Sequence, residues 1–141
     1  MPDFPQLTIY LDSNVLFSAT YIATSPFLNF WRLAGVRPGT SLYAVDEVRR
    51  HIVQSAQEIR FDELMTKTRL VSDVDVRLIP SGVKLVSKDE PILAAAIAAS
   101  VDYLITGDKT HFAHLYGKTA SHLYVINPAD FLALCKDRLP E

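Results

Sequence analysis

Six acidic residues stand beside apolar runs in this chain. Asp12 follows Leu7–Leu11, Asp46 and Glu47 follow Ser41–Val45, Asp89 and Glu90 precede Pro91–Ser100, and Asp108 follows Tyr103–Thr106. Singly, each has an ordinary explanation. Asp12 and Asp89 are good helix N-caps, and Asp108 suits a turn beside Gly107. Glu47 favours the positive end of a helix or pairs with Arg50 and His51, three and four residues on. Recurrence at several element boundaries asks for a common cause. Carboxylates a few ångströms apart raise one another's pKa, so an all-acid pocket persists best when a cation compensates it. Oxygen ligands without cysteine or a histidine set suit Mg2+ or Mn2+ rather than zinc. Such an ion activates a bound water while a second ion steadies a leaving oxygen, which points to hydrolysis of a phosphodiester.

Other constellations carry less. His111 and His114, three apart on an expected helix, lack a third ligand of matching type and are discounted as a metal pair. No spacing around Cys135 or any Ser/His/Asp set gives a recognisable nucleophile and base. The glycine-poor loops hold no phosphate-cradling Walker motif. Arg49, Arg50 and Lys109 flank the acids and are equally well read as contacts for nucleic-acid phosphates or as a solvated charged face.

The elements that must position the acids alternate between two periodicities. Strands are expected at 7–11, 41–45, 76–80, 103–106 and 123–126. Two helices are expected between Val15 and Ala34, split at Ser25-Pro26, the second (Phe27 to Leu33) stopped by Gly35 and an Arg37-Pro38-Gly39 turn. Asp46 opens a further pair reaching Thr68, with Val48, Ile52 and Val53 on one face. Pro91–Ser100, Thr110–Tyr116 and Pro128–Lys136 complete the helices. About five strands with helical crossovers make a central parallel α/β sheet covered by helices on both faces. Ligands of such sheets lie outside the carboxyl ends of the strands, where these acids fall.

Composition bounds the rest. The chain has 141 residues, 49% hydrophobic and 21% charged, with a net charge of -2, as expected of one globular domain over 1–141. One cysteine excludes an internal disulfide. Met-Pro-Asp-Phe-Pro at the N-terminus lacks the charge and apolar run of a signal peptide, and no stretch reaches the ~18 apolar residues of a membrane helix, so a cytoplasmic location is expected. Near-neutrality does not exclude a nucleic-acid partner. With four of the 16 acids gathered in one site, 14 basic groups face 12 acidic ones on the remainder.

The strings LDSNVLFSA at 11–19, DEVRRHI at 46–52 and KDEPILAAAIAASVDYLITGDKTHF at 88–112 resemble PIN-domain ribonucleases, over a span from about Leu7 to Phe131. The third string is the most specific: an acid, an Ala-rich helix, an apolar strand and Thr-x-Asp in one order. Within that family the chain is most similar to the VapC-like toxin components of toxin–antitoxin pairs. The resemblance implies a three-layer PIN-like fold and a Mg2+- (or Mn2+-) dependent endoribonuclease whose acids are Asp12, Glu47, Asp89 and Asp108. Glu47 is preferred to Asp46 because it begins the Glu-Val-Arg-Arg run, and Asp89 to Glu90 because it lies three before Ile92. Asn14 and Thr106 match the polar companions of the family's site, which orient ligands and water. RNA is then the substrate, a small antitoxin the partner and a homodimer the assembly.

Two other functions compete. A haloacid-dehalogenase-like magnesium phosphatase also places an Asp after its first strand, but it needs an acid two residues on, where this chain has Asn14. A catalytically silent PIN-fold RNA-binding module would not need an intact acid set. Between Phe17 and Trp31 lie five aromatics, Phe17, Tyr21, Phe27, Phe30 and Trp31. Part of this set is expected to form an exposed groove for the antitoxin, with Phe30 and Trp31 as its contacts, against the plainer reading of a well-filled core.

Overall fold

Leu7–Leu11 forms β1, whose last three residues are buried, as a run of β-branched and large apolar side chains in a central strand should be. The computed structural model describes residues 4–140; the remaining residues of the expected 1–141 domain lie outside the described residues. Asp12 turns the chain into α1 (Ser13–Tyr21), followed by a 3-10 helix at Pro26–Trp31. Next come β2 (Val36–Ser41), α2 (Leu42–His51), α3 (Ser55–Met65) and β3 (Arg69–Val71). After a long covering segment, α4 (Glu90–Ala98) leads to β4 (Tyr103–Ile105), β5 (Thr119–Ala120), β6 (Leu123–Ile126) and α5 (Pro128–Leu134).

The six strands lie in the order β3-β2-β1-β4-β6-β5, all parallel except the β5–β6 pair. The chain winds from β1 toward β3, then returns to the other side of β1 at β4. Right-handed crossovers in opposite directions put the helices on opposite faces. The reversal opens a crevice at the carboxyl ends of β1 and β4. The pairing of Leu11 with Ile105 makes Asp12 and Thr106 neighbours across that crevice.

Several elements differ from the sequence expectation. The second strand is Val36–Ser41, not Ser41–Val45. Its Pro38 and Gly39, expected as a turn, sit inside the sheet. Leu7 N–H donates to Gly35 O at 2.8 Å, so strand alternation turns Pro38 away from β1, and pairing with β3 begins only at Gly39. A Cβ at Gly39 would come within 3.2 Å of Arg69 O, which is why glycine stands there. Thr40 and Ser41 are buried because β1 supplies partners: Thr40 Oγ1 donates to Leu11 O at 2.8 Å, and the Ser41 and Tyr10 hydroxyls lie 2.6 Å apart. The helix therefore starts at Leu42, before Asp46, and ends at His51, which leaves Val53 91% exposed instead of on the buried face.

Val76–Pro80, expected as a strand, contains a 3-10 turn at Val76–Leu78, with Asp75 Oδ1 accepting from Arg77 N–H at 2.9 Å. Its segment covers α4, where Ile79, Val83 and Leu85 pack on the core. The third strand is Arg69–Val71 instead. The second helix of the first crossover and the segment after Asp108 are short 3-10 turns, the latter only Ala113–Leu115. The sheet thus has six strands, one of them antiparallel, where about five parallel strands were expected.

Candidate functional site

Asp12 ends β1 and opens α1. Its N–H donates to Ile105 O at 3.0 Å, tying the ends of β1 and β4 together. Oδ1 accepts from Ser13 N–H at 2.7 Å and Ser13 Oγ at 3.3 Å. Oδ2 accepts from Thr106 Oγ1 at 2.8 Å and Asn14 Nδ2 at 3.2 Å. Asn14 also receives the Gly107 N–H on Oδ1 at 2.8 Å, and Thr106 Oγ1 receives the Asp108 N–H at 3.1 Å. Asn14 and Thr106, matched to the family's polar companions, thus hold Asp12 and the turn that carries Asp108. Burial pushes Asp12 up to about 6, opposed by the Thr106 and Ser13 hydrogen bonds and reinforced by the charges of Glu47 and Asp89.

Glu47 reaches the same place from the second turn of α2: its Oε1 accepts from Ser13 Oγ at 3.3 Å, so one hydroxyl touches two carboxylates. Asp46 is exposed and lines a separate groove with Leu42, Arg49 and Leu70. Between the two acids of α2, the helix brings Glu47 toward Asp12.

The other end of the cluster is built differently. Asp89 precedes α4 yet makes no side-chain capping bond, so the helix-cap explanation does not account for it. Glu90 occupies the first turn, where the helix dipole favours an acid. Asp108 Oδ1 accepts from Thr110 N–H at 3.0 Å and His111 N–H at 2.9 Å, a turn that leaves Oδ2 free of backbone. His111 Nδ1 lies 2.7 Å from Asp89 Oδ2 and 2.9 Å from Asp108 Oδ2. Neither approach has the alignment of a hydrogen bond, so Asp89 Oδ2 and His111 Nδ1 are buried polar atoms without a partner. Burial raises the Asp89 pKa, the charge of His111 opposes that shift, and Asp108 adds to it.

Asp89, Asp108 and His111 offer one ligand atom each within 4.8 Å of one another. A buried oxygen with no donor, facing a second carboxylate and a ring nitrogen, is a donor set that a divalent cation fits. The set is not all-oxygen, unlike the expectation from the acids alone. Spacing in the sequence pairs His111 with His114, whose Nε2 instead meets Lys84 O at 2.8 Å. The usable signal was the three-residue spacing of His111 from Asp108. Tyr43 was missed as well: its hydroxyl donates to Lys88 O at 2.7 Å, and its pKa is raised by burial, then by Glu47 and Asp89.

Of the three flanking cations, Arg49 is committed elsewhere, 2.9 Å from Asp62 Oδ1 with its guanidinium 4.9 Å from the Phe61 ring centre. Arg50 is exposed on the site's side, where its charge lowers the Tyr43 pKa, and Lys109 is exposed beside Asp108. The aromatic set divides. Phe30 is fully buried and stacks on Phe131 with ring centres 5.9 Å apart, so it belongs to the core; Trp31 is half-buried at the edge of that core, its Nε1 donating to Thr68 Oγ1 at 2.9 Å. Phe17 stacks on Tyr21 at 5.8 Å beside an apolar groove of about 350 Å³ that includes Ile22 and Phe27. Tyr21 and Ile22 are 55% and 51% exposed, so the open part of the set lies there. A second groove of about 310 Å³, lined by Ser13, Asn14, Phe17, Glu47 and His51, connects this surface to the acids.

No family model matches the sequence, and no curated protein matches it. Among solved structures, the chain is similar to one in the VapBC2 complex from Rickettsia felis bound to a DNA fragment from its promoter. That match is 14% identical, with a TM-score of 0.61, and covers 86% of this chain and 98% of the other. It is also similar to a chain of a toxin–antitoxin complex from Klebsiella pneumoniae, at 21% identity and a TM-score of 0.59, covering 82% of this chain and 98% of the other. At these identities the likeness is one of fold, and the fold is the PIN-like α/β architecture that the sequence resemblance implied.

Proposed function

We propose that this chain is a metal-dependent endoribonuclease acting as the toxin of a toxin–antitoxin pair. The observation that carries the reading is the linkage of four acids from separate elements at the β1/β4 crevice. Ser13 joins Asp12 to Glu47, Thr106 joins Asp12 to the Asp108 backbone, and His111 lies between Asp108 and Asp89. Asp12, Glu47, Asp89 and Asp108 would hold Mg2+ or Mn2+, which supplies a water made acidic enough to attack phosphorus and a counter-charge for the leaving oxygen. Thr106 and Asn14 aim Asp12 by donating to it. Arg50 and Lys109 are the cations left to meet RNA phosphates. Asn14 is itself held by Gly107, Asp12 and Thr106, so it leaves a haloacid-type phosphatase without its second acid.

The test incubates the purified chain with labelled single-stranded and structured RNAs in Mg2+, Mn2+ or EDTA. Internal cuts with either metal and none in EDTA are expected; RNA bound but uncut with metal would favour the silent binding module. The likeness to toxin–antitoxin complexes supports a small antitoxin as partner, and we place its contact at Tyr21 and Ile22 rather than at Phe30 and Trp31. A neighbouring gene product that inhibits cleavage should lose affinity for Tyr21→Ala and Ile22→Ala; unchanged affinity in both would move the interface. Self-association as a homodimer is read by sedimentation of the purified chain.

A further inference from the structure

His111 and Asp89 present two buried polar atoms that approach to 2.7 Å without satisfying each other by a hydrogen bond. Asp89 is 8% exposed. Leaving such groups unpaired is unfavourable, more so where one is charged, so a third participant is called for. It is not a basic side chain: among the described residues no lysine or arginine forms an ion pair with Asp89 or Asp108. A proton on His111 serves one carboxylate, not both, because Nδ1 carries a single N–H. Adjacent ligands of an octahedral ion bound at about 2.0–2.1 Å lie about 2.9 Å apart. The two separations from Nδ1, 2.7 and 2.9 Å, are close to that spacing. The backbone supports the placement, since the turn capped by Asp108 Oδ1 fixes the His111 N–H and brings the ring over Oδ2 of the same aspartate.

We propose that His111 is a nitrogen ligand, with Asp89 and Asp108, for the divalent ion of the acidic crevice, and that it biases the site toward first-row transition ions such as Mn2+ over Mg2+. Imidazole adds little for magnesium, which prefers oxygen and retains its waters, whereas affinity for nitrogen-containing sites rises along the first transition row. The inference shares the metal site with the ribonuclease reading but not its substrate.

The experiment uses the full chain without RNA. Calorimetry gives the Mn2+ and Mg2+ affinities of wild type and His111→Ala, and electron spin-echo spectroscopy of the Mn2+-loaded wild type detects modulation by a coordinated imidazole nitrogen. Wild type should show nitrogen modulation and bind Mn2+ at least about tenfold more tightly than Mg2+. His111→Ala should lose the modulation and about tenfold in Mn2+ affinity, with Mg2+ affinity changed far less. No nitrogen modulation in wild type, no Mn2+ binding, or the same Mn2+/Mg2+ ratio in both proteins would overturn the proposal. The wild-type spectrum decides the matter even if the variant does not fold. Nitrogen modulation without RNA cleavage would sink the ribonuclease reading and leave this one standing; metal-dependent cleavage without modulation would do the reverse.

Discussion

Asp12 and Asp89 lie at the same sheet edge and are nearly equally buried, 3% and 8% exposed. Oδ1 and Oδ2 of Asp12 together meet four donors, from Ser13, Asn14 and Thr106, whereas Oδ2 of Asp89 meets none. Burial raises both pKa values. The Asp12 end is organised by the protein alone, through strand ends that are hydrogen-bonded to each other. The Asp89 end brings two carboxylates against a single ring nitrogen, so only the charge of His111 stands directly between them. The same residue type thus serves as a fully hydrogen-bonded anchor at one end and as a buried, unpartnered oxygen at the other.

The comparison is broken most readily through activity. Under the proposed function, Asp12→Asn, Glu47→Gln, Asp89→Asn and Asp108→Asn each lower metal-dependent RNA cleavage by about 100-fold or more while circular dichroism stays native. Asp46→Asn and Glu90→Gln, whose side chains lie outside the linked set, stay within about threefold. A larger loss in either of these than in its neighbour shifts the site by one residue.

The next effect is on the stability of the metal-free protein. Asp12 holds its proton more tightly in the folded state, about 6 against 3.8, so its ionisation opposes folding. This penalty is absent below pH about 4, grows as pH rises, and is complete above about 6. Urea unfolding in EDTA should show Asp12→Asn gaining on wild type across that window, by on the order of 2–3 kcal/mol. A difference that stays flat from pH 4 to 7 would mean that the donors around Asp12 fully offset its burial.

Smaller effects sharpen the contrast. Thr106→Val removes the hydroxyl that serves Asp12 and the Asp108 backbone at once, and should cost about 1–3 kcal/mol in urea unfolding. Millimolar Mn2+ should raise the melting temperature by a few degrees through mass action. That shift should shrink most in Asp89→Asn, where the uncompensated oxygen is gone. An equal shift in wild type and Asp89→Asn would place the ion elsewhere.

Much of this arrangement is readable without coordinates. β1, β4 and α4 coincide with contiguous apolar runs, because elements buried on both sides need little polar surface, and β6 is apolar too although its Tyr124 faces solvent. Asp12, Asp89 and Asp108 therefore stand at or just beyond element boundaries that the residues themselves announce, whereas Glu47 lies inside α2. β2 and β3 are hidden for the opposite reason. Val-Arg-Pro-Gly-Thr-Ser has the composition of a turn, and it becomes a strand because β1 supplies hydrogen-bond partners for Thr40 and Ser41 and β3 approaches closely at Gly39. The Val-Arg-Leu-Ile-Pro run has the composition of a strand, and its segment instead covers α4.

The sequence by itself determined the α/β class, the buried strands β1 and β4, and that carboxylates follow them and precede α4, because hydrophobic periodicity and chain order are local properties. Only the tertiary structure decided that Glu47 rather than Asp46 meets Ser13, that Phe30 is core with Trp31 at its edge, and that His111 belongs with Asp89 and Asp108 rather than with His114. Those outcomes depend on helix rotation and on contacts between segments far apart in the chain, and neither is encoded in the spacing of neighbouring residues.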